Sequence, residues 1–332
     1  MSRVKDKKKI CVIGGGCWGE NHIKILYKVG HLGGIVDSDS HRIKDLLEKY
    51  KPVNGHTCTE DALECGYDGY IVATPAETHY HIGSILLKAK QKVLMEKPLS
   101  ICSSDSLKLV RMSEEYGSKL MVGHLLLFHP AIIKIKKIID EGRIGDLRYV
   151  YSNRLNLGRV RTEENVLWSL APHDISILDF LIGKSPETIK ASGGCYLQNG
   201  IYDVVTASYS YPGNIKAHIF VSWLHPFKEH RLVIAGSKAM LVFEDSSPQR
   251  NILFYDSGIE WIDGKPVKRE KPAEIIFYEP SSPLENELNY FIGHLDSEIS
   301  VADGQNGHKT VEILEKTDEC LHTGIELKLG GI

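Results

Sequence analysis

The stretch that most constrains the fold is "KICVIGGGCWGENH", Lys9 to His22, where a short apolar run meets Gly14, Gly16 and Gly19 in G-x-G-x-x-G spacing. An apolar β-branched run that ends in such a turn and gives way to helix-forming residues predicts a strand, a tight turn and a helix. The first glycine permits the turn, the second lets backbone approach a bound group, and the third lets the helix pack close. The helix N-terminus adds partial positive charge. The next apolar run, "LGGIVD", ends in Asp37, where a carboxylate can accept hydrogen bonds from ribose hydroxyls. Together these features predict a dinucleotide site that includes Gly14, Gly16, Cys17, Trp18, Gly19, Asp37 and Ser38. An acid at the ribose, followed by Ser38 rather than arginine, favours NAD over NADP. Arg42, one helical turn on, is the residue that could still neutralise a 2′-phosphate.

From Lys9 to about Gly145 short apolar runs alternate with helical patterns: Trp18 to Val29, Arg42 to Tyr50, His79 to Ala89, Ser103 to Tyr116, and "AIIKIKKIIDEG". That alternation means βαβ units and a parallel sheet, hence an α/β N-terminal Rossmann domain over residues 1–145. Beyond it, longer alternating runs such as "DLRYVYSNRLNLG", "YDVVTASYSYPG" and "NIKAHIFVSWLH" predict an α+β C-terminal domain, residues 146–332, on a large open, mainly antiparallel sheet. One strong helix, "APHDISILDFLIG", is inserted early, and the last helices could pack back on the first domain. Val204, Ala207, Ile219 and Val221 are read as the outer face of this sheet, to be covered by helices or by another subunit.

With 332 residues the chain has the length of two domains. Its net charge of −3, with no long single-sign block beyond "KDKKK", argues against nucleic acid or an anionic membrane as partner. No apolar run reaches the ~18 residues of a membrane span, and no secretory h-region follows the charged start, so a cytoplasmic protein is expected. Seven cysteines at 11, 17, 58, 65, 102, 195 and 320 show no C-x-x-C and no metal-ligand spacing, which predicts free thiols and no metal.

"VLMEKPLS" places Glu96 and Lys97 side by side at the end of a strand, where open α/β sheets bind ligands. A half-buried lysine there can serve in proton transfer. "GGGCWG", "VATPAETHYHIG", "VLMEKPLS", "VGHLLLFHPA" and "APHDISILDFLIG", in this order, resemble the Gfo/Idh/MocA oxidoreductase family over nearly the whole chain, and the closing "SPLENELNYFIGHLDSE" and "VADGQNGHKTVEIL" are similar to its C-terminal pattern. The resemblance implies that Lys97 reaches both the nicotinamide ribose and the reacting hydroxyl, and that Glu96 faces the cofactor. It also places Thr74, Pro75 and His79 along the nicotinamide side, and His124 in the pocket. Leu127 stands where many relatives carry arginine, and His129 is read as structural.

The family's second catalytic element, D-x-x-x-H, reads here as Ser169 and His173, four residues apart and so on one helical face, with Pro172 just before the histidine. His173 is suited to accept a hydroxyl proton, while Ser169 can only hydrogen-bond, so the acid/base is Lys97, His173, or both in relay. Between the first strand of the second sheet and that helix, Asn153, Arg154, Arg159, Arg161 and Trp168 occupy a segment expected to meet the substrate, because arginines bind phosphate or carboxylate. The resemblance is strongest to members that oxidise C3 of a UDP-linked N-acetyl sugar before transamination to a 3-amino sugar. Oxidation of a free sugar or polyol such as inositol is an alternative, and a non-catalytic NAD-binding sensor another. The expected active site lies between the domains, and the expected assembly is a homodimer or homotetramer.

Overall fold

The structure, a computed structural model, describes residues 7–329. The first segment runs β1 (Ile10–Ile13), α1 (Cys17–Val29), β2 (Leu32–Val36), α2 (Ser40–Lys49), β3 (Asn54–His56), α3 (Thr59–Leu63), β4 (Gly69–Val72), α4 (His79–Lys88), β5 (Lys92–Glu96), α5 (Ser103–Tyr116) and β6 (Lys119–Gly123). All six strands pair in parallel in the order β3-β2-β1-β4-β5-β6. β1 and β4 are buried along their whole length, as continuous apolar runs in a doubly covered parallel sheet should be. The chain moves outward one way from β1 through β2 and β3, then crosses back to β4, which makes the β1–β4 gap the switch point where such sheets bind ligands. β3 and α3 go beyond the sequence reading: β3 has three residues, none buried, and no β-branched side chain to announce it.

The next segment runs α6 (Pro130–Asp140), β7 (Leu147–Leu157), α7 (Val166–Ile182), β8 (Thr188–Gly194), β9 (Val204–Tyr211), β10 (Ile215–Ser222), β11 (Leu224–Gly236), β12 (Met240–Glu244), β13 (Ile252–Tyr255), β14 (Gly258–Ile262), β15 (Lys265–Arg269) and β16 (Glu274–Ile276). It is followed by α8 (Pro283–Gly293), α9 (Gly304–Thr323) and β17 (Leu327–Lys328). Nine strands form one sheet, β16-β13-β12-β11-β7-β10-β9-β8-β17, antiparallel except where β10 meets β7. β14 and β15 make a separate hairpin closed by Asp263 and Gly264, both with positive φ. An Asp-Gly pair is the residue choice that such a tight turn demands.

Two compact units result, residues 1–128 with 282–312, and residues 129–281 with 313–332. The first break therefore falls before α6, not at 145. α6 continues the helical rhythm of the first segment, but its buried face of Ile132, Ile135 and Ile138 belongs to the second unit, where it packs on α7. α8 and the start of α9 group with the first unit.

In the second unit α7 covers the face of β7, β9 and β10. Val205, Ala207 and Tyr209 of β9 and Ile219 and Val221 of β10 are buried there. The expected outer face holds for Val204, which shares the face of Thr206 and Ser208, but Ala207, Ile219 and Val221 lie under the helix, and the open face carries Thr206, Ser208, Lys216 and His218 with Tyr149 and Tyr151 of β7. The alternation of a strand identifies two faces without saying which one is covered.

Candidate active site

In the first unit the glycine turn is built as its spacing requires. Gly14 has φ +97°, and a Cβ on Gly19 would come 1.8 Å from the Gly14 carbonyl oxygen, so only glycine lets α1 start this close to β1. A Cβ on Gly16 would meet nothing within 4 Å, so the turn presents bare backbone to open space at the start of α1, as a pyrophosphate needs. Cys17 and Trp18, the next two residues, are exposed.

Asp37, at the end of β2, accepts from the Gly15 N–H at 2.8 Å and the Asp39 N–H at 2.9 Å, and its two oxygens lie 3.1 and 3.0 Å from Nη1 of Arg42. Burial opposes its ionisation, but these amides and the guanidinium outweigh it and hold the carboxyl below its ordinary value. Asp37 therefore stays anionic and tied to the turn, and Arg42 is committed to it. Ser38 is exposed beside it. Turn, helix start and acid fit the adenosine and pyrophosphate parts of a dinucleotide.

At the end of β5, Glu96 is only 6% exposed. It accepts from Trp18 Nε1 at 2.5 Å, lies 2.7 Å from Nε2 of His22, and takes the Lys97 backbone N–H at 3.1 Å. Burial again opposes ionisation; the bonds from His22 and Trp18 and the charge of Lys97 prevail, and its acidity is strengthened. Trp18 and His22, one helical turn apart, thus pin an anion beside the half-buried Lys97. His22 is absent from the sequence-based set of site residues, although its i+4 relation to Trp18 on the helix that opens the site is a signal for it.

Thr74 follows β4 half-buried and bonded through its hydroxyl to Thr78, and Pro75 is exposed. His79 is 1% exposed, with Nδ1 2.8 Å from the Pro98 carbonyl oxygen and Nε2 3.0 Å from that of Thr74, so the ring sits between the loops after β4 and β5 and can donate to one of those carbonyls. Burial lowers its basicity. His124, just past β6, is also enclosed, and burial brings it down to about 4, so it is neutral at physiological pH.

In the second unit, Ser169 and His173 stand half-buried one turn apart on α7. The helix begins five residues before Ala171, capped by Asn165, whose side chain accepts from the Trp168 N–H at 3.2 Å, and it continues through Pro172. The neighbour of His173, Asp174, is fully buried in a bidentate pair with Arg154 at 2.9 and 3.0 Å and accepts from Ser152 at 2.7 Å. Charge-assisted paired bonds of this kind fix the rotation of α7 on β7, and with it the face that carries His173.

Arg154 is therefore a fastener of the fold. Asn153 alternates to the open face and donates to Glu229 at 2.7 Å, so the structure puts it on the side of the sheet away from α7. Arg159 is exposed, and Arg161 is half-buried with Nε 3.8 Å from Glu164. Their loop is anchored where Gln198 donates to the Arg161 carbonyl oxygen. Trp168 is half-buried in the first turn of α7. Among the described residues no group of three metal-binding side chains occurs, and no helix is long and apolar enough to cross a membrane.

These features agree with comparisons to known proteins. The description "Oxidoreductase family, NAD-binding Rossmann fold" matches residues 8–124, and "GFO/IDH/MocA C-terminal domain" matches residues 132–242. A UDP-N-acetylglucosamine 3-dehydrogenase from Acidithiobacillus ferrooxidans is 23% identical over 291 residues, covering 85% of this chain and 88% of that protein. An inositol 2-dehydrogenase from Rhizobium meliloti is 22% identical, covering 75% and 77%. Among solved structures, the Acidithiobacillus enzyme superposes with TM-score 0.83 at 21% identity over 94% of this chain and 97% of that one. The WlbA dehydrogenase from Bordetella pertussis, in complex with NADH and UDP-GlcNAcA, does so with TM-score 0.79 at 19% identity over 98% and 99%. Both structural likenesses show the fold. With a glycine turn at the switch point, an acid at the second strand, a Glu-Lys pair at the fifth and both halves of the chain matched, the protein belongs to the Gfo/Idh/MocA family of NAD-binding oxidoreductases.

Proposed function

We propose that this chain is an NAD-dependent dehydrogenase that oxidises a secondary alcohol of a sugar, with C3 of a UDP-N-acetylglucosamine-type nucleotide sugar as substrate. The observation that carries the chemistry is Lys97, half-buried next to a locked Glu96 carboxylate at the end of β5 in the dinucleotide-binding sheet. NAD, which the glycine turn and Asp37 would hold, would supply the hydride acceptor. Lys97 is placed to take the hydroxyl proton as the carbinol carbon becomes a ketone. His173 of the second unit is the alternative acid/base, on a face of α7 fixed by the Arg154–Asp174 pair. Glu96, held from two sides by Trp18 and His22, keeps Lys97 in register without itself moving a proton.

The substrate assignment is supported by the long match to a UDP-N-acetylglucosamine 3-dehydrogenase and by the exposed Arg159, a partner for a diphosphate. A second reading, an NAD-binding sensor without turnover, is favoured by Ser169 where a carboxylate would assist His173. Appearance of NADH with UDP-N-acetylglucosamine, its uronate, free N-acetylglucosamine and myo-inositol tests all of these. The nucleotide sugars should give a far higher kcat/KM, because binding of the remote UDP orients C3. Equal values for free and UDP-linked sugar would end the nucleotide assignment, and retained NAD binding without any turnover would leave the sensor.

A further inference from the structure

His79 is a buried ring that the reaction above does not use. It opens α4 and turns its two nitrogens to the carbonyl oxygens of two different loops: Nδ1 lies 2.8 Å from that of Pro98, after β5, and Nε2 lies 3.0 Å from that of Thr74, after β4. Both loops leave strand ends of the sort at which open α/β sheets bind ligands. Burial lowers the basicity of His79, so at physiological pH the ring is neutral and carries one N–H. Pro98 is buried and Thr74 half-buried, and a buried carbonyl is the one that most needs a donor. The shorter contact and the deeper carbonyl both assign that N–H to Nδ1.

Pro98 directly follows Lys97, so this bond fixes the chain just past the lysine. On the other side, the Lys97 N–H donates to the Glu96 carboxylate at 3.1 Å. The lysine backbone is thus fastened before and after, once from the end of β5 and once from the start of α4. Thr74, the ring's other neighbour, borders the glycine turn: a Cβ on Gly14 would come 2.9 Å from its Cγ2. His79 therefore stands between the residue that abuts the dinucleotide turn and the loop that carries the lysine.

We propose that His79 is a positioning residue for the dehydrogenation, its Nδ1–H holding the Pro98 carbonyl so that Lys97 keeps its reach to the reacting hydroxyl. The proposal rests on the reading that Lys97 takes the hydroxyl proton. His79 acts on the chemical step, and the grip of the glycine turn and Asp37 on NAD does not depend on it.

The test compares His79→Leu, His79→Asn and His79→Gln. Leucine fills the space without a donor, the asparagine amide nitrogen can take the place of Nδ1, and the glutamine amide nitrogen that of Nε2. With whichever of the sugars named above turns over, His79→Leu should lower kcat by ~10²-fold, the scale of a small misplacement of a catalytic group, and leave the dissociation constant of NAD nearly unchanged. His79→Asn should recover most of that loss and His79→Gln little of it. A cofactor-free readout accompanies the kinetics: nitrogen NMR of the histidine rings in the NAD-free protein, with the signal missing in His79→Asn assigned to His79, should show Nδ1 protonated. Nδ1 without a proton overturns the proposal, as does recovery by glutamine equal to that by asparagine. A wild-type kcat in His79→Leu, or a loss confined to NAD affinity, overturns it as well. Lys97→Met, measured in parallel, separates the failures. If it keeps its turnover, the reading of Lys97 falls and the positioning role with it; if it loses turnover while His79→Leu does not, His79 alone falls. Where His79→Leu does not fold, the contrast between asparagine and glutamine and the NMR of the wild type decide.

Discussion

Asp37 and Glu96 end two strands of the same sheet, both buried, both kept anionic against the cost of burial, yet they are held by different kinds of partner. Asp37 is fastened by backbone N–H groups of Gly15 and Asp39 and by Arg42, five residues ahead. Glu96 is fastened by the side chains of Trp18 and His22, 78 and 74 residues away. The first arrangement is written into one βαβ unit. The second exists only once α1 and the end of β5 have packed. Local fastening suits a group that only recognises ribose; dispersed fastening suits a group whose charge must be set for a reaction.

If that division is right, the largest effect comes from removing the group that the dispersed cluster serves. Lys97→Met should lower turnover by ~10³-fold or more, within the usual worth of a positioned acid/base, and change NAD affinity only modestly, because the pyrophosphate is held by the glycine turn. Steady-state rates and NAD titration measure both. Turnover within tenfold of wild type would remove Lys97 from the chemistry and leave Glu96 merely structural.

The next effect falls at the Asp37 end and should touch cofactor choice alone. Asp37→Ala removes the charge that would repel a 2′-phosphate and at the same time releases Arg42 to bind one. Selectivity, read as the ratio of kcat/KM for NADP over NAD, should rise on the order of 10²-fold, the scale of a close charge pair near a protein surface. An unchanged ratio would mean that some other residue reads the ribose, and the comparison of the two carboxylates would lose one side.

Legibility in the sequence divides along the same line. Gly14, Gly16, Gly19 and Asp37 are recognisable because each acts through its own backbone or a neighbour within one βαβ unit, and the Glu96-Lys97 pair because it stands at a strand end. The partners of Glu96 are not, because nothing in "CWGENH" says which strand end Trp18 and His22 will face. Arg154 reads as a ligand-seeking loop arginine only if the strand ends before it; β7 in fact runs to Leu157, which turns Arg154 inward onto Asp174. The phase of the second sheet is hidden for a related reason, since β9 and β10 alternate in composition but only α7 decides which face is the inner one.

The smallest effect sharpens the comparison by pH. Trp18→Phe keeps an aromatic ring at the start of α1 and deletes one hydrogen bond to the Glu96 anion. A bond to a charged acceptor is worth ~1.5–3 kcal/mol when buried, and with the indole partly exposed, about 1 kcal/mol of unfolding free energy should be lost at neutral pH. The sign of its pH dependence comes from the direction of the Glu96 shift. Its folded-state ionisation lies below the unfolded value of 4.5, so the stabilisation is present above that value and lost as pH falls through the folded one. Removing the Trp18 bond brings the folded value back up toward the unfolded one, and the deficit of the variant should therefore shrink as pH is lowered, vanishing once both proteins carry a protonated Glu96. Urea denaturation of wild type and variant across that range measures it. A deficit that stays constant with pH would show that Trp18 contributes packing alone and that His22 holds the anion without it.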